Sequence, residues 1–324
     1  MKDLTILLKL IKILCDTSIH SCEQLSESVG IEKSGINKHI YTLRKWGIEV
    51  NNISGKDYQF IKKIELLDYE RIYSLVKRGN IIIKPVINST NQYLLECIDK
   101  LSSGDACIAE YQTAGRGRRG RYWASPFGCN LYLSLYWNLE QGSVAAMGLS
   151  LVASIVVAEN LNKLSGRNNI KVKWPNDLYL NEKKLAGILI EIISKAGNSA
   201  HIIIGIGINI SMSSNYKRDI NQEWIDFEQT GIKIERNLVA GHIILALRHE
   251  LVQFEKYGLF PFIKRWLALD NFLHKKIRLH IGDHLEVGVV KGIGEHGTIL
   301  LEQNGKIISY IDGEISLRPD NLNN

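Results

Sequence analysis

A chain of 324 residues with 45% hydrophobic and 23% charged side chains has material for two or three packed units, which excludes a disordered or collagen-like polymer. Forty basic against 34 acidic residues leave a formal charge of +6, which permits a polyanionic partner without demanding one. No apolar run reaches the roughly 20 residues of a membrane helix and no basic-then-apolar leader opens the sequence, so a cytoplasmic protein without membrane contact is expected.

Residues 1–64 read as helical with a β-like end. Leu4–Leu14 is apolar along its length, as in a helix packed inside a small bundle. Ser21 and Gln24 form a capping box that starts a helix over Cys22–Val29. Gly30 then turns the chain into a third helix over Glu32–Trp46, stopped by Gly47. Ile48–Val50 and Asp57–Phe60, around a polar turn, suggest a hairpin wing.

From residue 65 to 270, strands and helices alternate irregularly, which favours an α+β unit over a doubly wound one. Strands are expected over Ile81–Ile87, Ala106–Tyr111, Asn130–Tyr136, Ile170–Trp174, Leu185–Ile193 and His201–Ile210. Helices are expected over Gln92–Leu101, Met147–Leu164 and Asn237–Tyr257. Residues 271–324 turn to short strands, Ile277–Ile281, Leu285–Lys291, Gly297–Glu302 and Lys306–Ile311, the last two joined by the hairpin signal Asn304-Gly305. A small β-barrel fits. The five cysteines, Cys15, Cys22, Cys97, Cys107 and Cys129, show no metal-ligand spacing and read as free thiols, with no fixed metal site.

Four stretches carry candidate chemistry. In the third helix Ile36, Ile40 and Leu43 make a buried stripe, while Lys33, Ser34, Asn37, Lys38, His39, Thr42, Arg44 and Lys45 occupy the other faces. Cations for phosphates beside Asn and Ser for base edges suit a DNA-recognition helix; a protein-contact helix or a solvated basic face is the alternative. The second stretch, Gly115-Arg116-Gly117-Arg118-Arg119-Gly120-Arg121, satisfies a dinucleotide-binding expression. It is followed by Tyr122-Trp123-Ala124-Ser125-Pro126, a poor helix start, so that reading fails. Its exposed amides and four guanidinium groups instead suit a phosphate or carboxylate, and such a loop could stay disordered until one binds; an RNA-binding or merely solvated loop is the alternative.

The third stretch is Lys173-Trp174-Pro175-Asn176-Asp177 with Lys184-Leu185-Ala186-Gly187, a hairpin carrying a carboxylate and an ammonium at neighbouring strand ends, or a plain charged turn. In the fourth, Ser89-Thr90-Asn91 opens a helix, where helix capping is the simpler reading. Gly205 and Gly207 lie inside a strand, marking close approach of a ligand or of other backbone.

Together with Gly313-Glu314-Ile315-Ser316-Leu317-Arg318, these stretches resemble the bacterial bifunctional biotin–protein ligase/biotin operon repressor family along almost the whole chain. The resemblance implies a winged helix-turn-helix over 1–64, an α+β catalytic domain related to class II tRNA synthetases over 65–270, and an SH3-like barrel over 271–324. It implies ATP-dependent formation of biotinyl-5′-AMP and transfer to a lysine of the biotin carboxyl carrier protein, with Mg²⁺ accompanying ATP. With adenylate bound, a homodimer would repress biotin synthesis genes at operator DNA.

By the same resemblance, Ser89, Thr90, Asn91, Gln112, Gly115, Arg116, Gly117, Arg118 and Lys184 meet biotin. Arg118, Arg119, Arg121, Lys173, Asn176 and Trp224 meet the adenylate, with Trp224 over the adenine. Arg118 and Lys184 supply positive field, and Asp177 orients or deprotonates the acceptor lysine. The family's wing usually reads Gly-Lys-Gly-Tyr; here Asp57 replaces the second glycine, which puts a carboxylate near phosphates. A transcription factor that only senses the small molecule, and a ligase for lipoate, are the competing readings. The intact charged residues speak against the first and the arginine loop against the second.

Overall fold

The computed structural model describes residues 2–53, 55, 57–142, 146–194, 199–212 and 222–316. Lys56, Leu317 and Arg318, which belong to the wing and to the last stretch of the resemblance, lie outside the described residues.

Helices α1 (Lys2–Leu14), α2 (Cys22–Val29) and α3 (Lys33–Lys45) pack through Leu10, Ile11, Leu25, Ile36, Ile40 and Leu43. The capping box forms as expected: the Gln24 amide donates to Ser21 Oγ and the Ser21 amide to Gln24 Oε1. Strands β1 (His20–Ser21), β2 (Val50–Ile53) and β3 (Asp57–Phe60) make a sheet in the order β1-β3-β2, so the hairpin has a third, unanticipated strand and its first arm runs into the polar stretch expected to turn, not over Ile48–Val50. Tyr58 ties it to α3, its hydroxyl donating to Asn37 Oδ1 at 2.6 Å.

The central sheet comprises β4 (Ile81–Ile87), β5 (Ala106–Gln112), β6 (Leu131–Leu139), β7 (Lys171–Lys173), β8 (Asp177–Leu180), β9 (Lys183–Ser194) and β10 (Ala200–Ile208). Its order is β4-β5-β6-β10-β9-β8-β7, parallel at β4–β5 and antiparallel elsewhere. Alternation along β10 sorts its two faces. Ile202, Ile204 and Ile206 join the large core that also holds α6 (Leu149–Ser165) and α7 (Arg236–Tyr257), whereas Ile203 meets Leu94 of α5 (Thr90–Glu96) on the other side. That second face carries the cleft described below. α6 is buried nearly all round, which explains why its sequence shows no polar stripe.

Two short helices escaped the sequence reading, α4 (Tyr69–Val76) and α8 (Phe260–Leu269). The expected helix over 92–101 begins earlier and stops at Glu96, followed by one 3₁₀ turn over Ile98–Lys100. The expected two-stranded hairpin after Trp174 contains an extra strand, because β8 starts at Asp177 itself and pairs with both Lys173 and Gly187.

Strands β11 (Lys276–Ile281), β12 (His284–Ile293), β13 (Ile299–Gln303), β14 (Lys306–Tyr310) and β15 (Glu314–Ser316) form an antiparallel sheet in the order β14-β13-β12-β11-β15. Asn304 and Gly305 both take positive φ (50° and 74°), as a two-residue hairpin turn requires. Leu279, Val290 and Leu301 continue the central core, so this sheet is packed against the middle of the chain. Among the described residues no helix is long and apolar enough to cross a membrane.

Candidate active site

Gln112, at the end of β5, organises one wall of a cleft of about 1280 Å³. Its Oε1 accepts from the Thr90 amide (2.9 Å) and the Thr90 hydroxyl (3.2 Å), and its Nε2 donates to Ser125 Oγ (3.0 Å). The start of α5 is thus capped from β5. Ser89 stands at the N-cap position but makes no side-chain capping bond, which corrects the capping reading of this stretch. Ser89 and Thr90 line the cleft instead. Asn91 has partners at both ends: its Oδ1 accepts from Ser134 and its Nδ2 donates to Glu191 Oε2 at 2.7 Å.

The arginine loop crosses the mouth as a narrow hairpin, the Trp123 amide donating to Gly115 O and the Gly117 amide to Arg121 O. A Cβ at Gly115 would stand 2.4 Å from the Trp123 carbonyl oxygen, so only glycine fits there. Each arginine of the loop has a protein partner. Arg116 meets Glu191 at 2.8 Å and Arg118 meets Asn176 Oδ1 at 3.1 Å. Arg119 meets Asp312 at 3.1 Å, and Arg121 grips both carboxylate oxygens of Glu314 at 2.6 and 2.7 Å. The hydrogen bonds from Arg121 hold Glu314 below its ordinary carboxylate range and in turn raise the Arg121 guanidinium.

Opposite the loop, Lys184 Nζ lies 2.8 Å from Asp177 Oδ1, both side chains mostly buried. The Lys184 backbone also bonds Glu223 and Ile225, which sets the buried Trp224 on the cleft wall. Beside them Lys173 donates to the Tyr179 hydroxyl at 3.0 Å. Burial draws the Lys173 ammonium below its usual value and pushes the Tyr179 phenol up to about 12.

Every residue expected to meet biotin or adenylate lines this cleft except Gly115, which acts through the loop's backbone. Three contributors were missed. Trp123 spreads over the floor: added Cβ atoms at Gly187 and Gly207 would meet its ring at 3.0 and 2.4 Å, and one at Gly205 would meet Asn91 at 2.3 Å. The strand glycines therefore receive side chains of this chain, and Trp123 carried no sequence signal beyond following the loop. Glu191 and Asp312 were missed because a lone carboxylate announces nothing until its arginine is adjacent.

The candidate DNA-contact residues divide. Ser34, Asn37, Lys38 and Arg44 are exposed on α3, although Arg44 also donates to Val50 O and Thr42 is half-buried, bonded to Lys38 O. His39 is 7% exposed and so belongs to the interior of this unit, which corrects its placement on the outer face. Lys45 stands over the Tyr41 ring at the rim of the cleft.

Residues 83–209 match the Biotin/lipoate A/B protein ligase family. Over 318 residues the chain is 54% identical to the "Bifunctional ligase/repressor BirA" of Salmonella typhimurium, covering 98% of this chain and 99% of that one. The chain belongs to the bifunctional ligase/repressor BirA family. The BirA relative of Escherichia coli is 52% identical over the same shares. Among solved structures, a biotin protein ligase from Aquifex aeolicus in complex with biotin and ATP aligns with a TM-score of 0.65 and 30% identity, over 74% of this chain and 99% of that one.

Proposed function

We propose that this BirA-family chain condenses biotin with ATP to biotinyl-5′-AMP and passes the biotinyl group to a lysine of the biotin carboxyl carrier protein of acetyl-CoA carboxylase. With the adenylate retained, it represses biotin synthesis genes as a homodimer on operator DNA. The units are a winged helix-turn-helix (1–64), a class II synthetase-like catalytic domain (65–270) and an SH3-like barrel (271–324). The observation that carries the reading is the Lys184–Asp177 pair facing the arginine loop across one cleft.

In the first step a carboxylate oxygen of biotin attacks the α-phosphorus and pyrophosphate leaves. Both reactants are anions, so the step needs fixed cations where phosphoryl charge develops. Arg118 and Lys184 supply them, and Lys173 adds a half-buried ammonium. Thr90 and Gln112 hold the ureido end, with Ser89 beside them. Mg²⁺ arrives with the triphosphate as part of the substrate. In the second step the acceptor amine attacks the anhydride carbonyl and AMP leaves. Once Lys184 turns to the phosphate, Asp177 is released to take the amine's proton. Trp224, buried on the cleft wall, packs over the adenine. The exposed Ser34, Asn37, Lys38 and Arg44 form the DNA face.

The test is label transfer: protein, ATP, Mg²⁺, labelled biotin and an acceptor domain. Absence of label on the acceptor lysine refutes the ligase reading, and transfer of lipoate in its place refutes the choice of acyl group.

A further inference from the structure

We propose that Glu191 is a positioning residue that anchors the near end of the arginine loop to the floor of the cleft. The inference rests on the biotin reading of the site for its kinetic consequence and on geometry alone for its structural one. Glu191 lies on β9 with the same parity as Gly187, so it faces the cleft side of the sheet. Its Oε2 accepts from two donors at once, Asn91 Nδ2 at 2.7 Å and Arg116 Nη2 at 2.8 Å. Asn91 is itself fixed, since Ser134 donates to its Oδ1 and the bare Gly205 backbone lies under it. A row of hydrogen bonds thus runs Ser134–Asn91–Glu191–Arg116, from the middle of the sheet to the loop.

The other anchors act farther along the loop: Arg118 on Asn176, and Arg119 and Arg121 on Asp312 and Glu314. Arg116 follows Gly115 directly, and among the described residues its side chain pairs with Glu191 alone. Losing that charge-assisted bond frees the hinge end while leaving the far end held.

Glu191→Gln keeps the shape and one acceptor oxygen but removes the charge. In the protein without ligands, trypsin cleavage after Arg116, followed by mass spectrometry, is expected to quicken about tenfold, while cleavage after Arg119 and Arg121 stays as it was. With substrates, KM for biotin is expected to rise by a similar factor while kcat changes little, because the displaced loop weakens capture before the chemistry. Thermal melting within a few degrees of the original protein shows that the fold is intact. Arg116→Met is the second variant: if Glu191 acts through Arg116, the double variant has the same KM as Arg116→Met alone. Equal cleavage in the two proteins, or additive effects on KM, overturns the proposal. An original chain that transfers no biotin would sink the proposed function and leave the cleavage comparison to decide about Glu191.

Discussion

Trp46, the residue that ends α3, stacks on Phe127 with 5.6 Å between ring centroids and 14° between planes, and the Phe127 amide donates to the Trp46 carbonyl at 2.8 Å. Tyr111, next to the cleft residue Gln112, stacks on the same indole at 5.3 Å. The end of the helix proposed to read DNA is therefore packed against the strand and loop that frame the cleft. Trp46→Ala removes both stacks and is expected to cost about 3 kcal/mol, with the N-terminal unit loosening first. Urea unfolding with limited proteolysis checks this; a single unshifted transition would show that the stack carries no stability.

A second stability prediction concerns Arg236 and Glu110, an ion pair at 2.7 Å with both side chains 5% exposed. Glu110 also accepts the Leu67 amide and Arg236 donates to Asn130 O, so the pair fixes the chain where it approaches the central sheet. Arg236→Met strands a buried carboxylate and is expected to cost about 3–5 kcal/mol in urea unfolding. Adding Glu110→Gln should recover part of that loss, and no recovery would mean that packing, not charge, dominates.

Lys184→Ala removes the ammonium paired with Asp177 from the edge of the cleft without opening a core. Pyrophosphate exchange is expected to fall on the order of 100-fold while circular dichroism stays unchanged. Normal exchange would reduce the pair to a structural one.

Arg118→Gly deletes the bonds to Asn176 and Asp312 along with a cation facing the cleft. A charge-assisted hydrogen bond of about 1.5–3 kcal/mol is lost, so adenylate should escape about tenfold or more often per turnover. Counting free adenylate decides it; unchanged retention removes Arg118 from the site.

The latch at the far end of the loop carries a pH signature. Arg121 holds Glu314 below its ordinary range, so the folded value is the depressed one. The stabilisation is complete above the unfolded carboxylate value of about 4.3 and is lost as pH falls through the lower folded value. Hydrogen exchange of residues 115–121, corrected for intrinsic rates, should therefore show the loop opening below about pH 4, and Glu314→Gln should already be open at neutral pH. Protection that ignores both pH and the substitution would disprove the latch.

The sequence by itself determined what a few neighbouring residues decide. The capping box at Ser21 and Gln24, the apolar stripe Ile36–Ile40–Leu43 and the Asn304-Gly305 turn follow from backbone hydrogen bonding and allowed φ within one short segment. The motif residues stood out through their resemblance to the biotin–protein ligase family, and the fold gathers them around one cleft. Tertiary structure decided the rest. Ser89 had the right type and place for a cap, but Gln112, from a neighbouring strand, holds the end of α5 instead. His39 looked like a surface group until its neighbours covered it, and Gly205 and Gly207 proved to make room for Asn91 and Trp123. Arg121 meets Glu314 across 193 positions of sequence and Arg116 meets Glu191 across 75. Such pairs arise only when strand register and domain packing bring distant segments together, and no local preference encodes them.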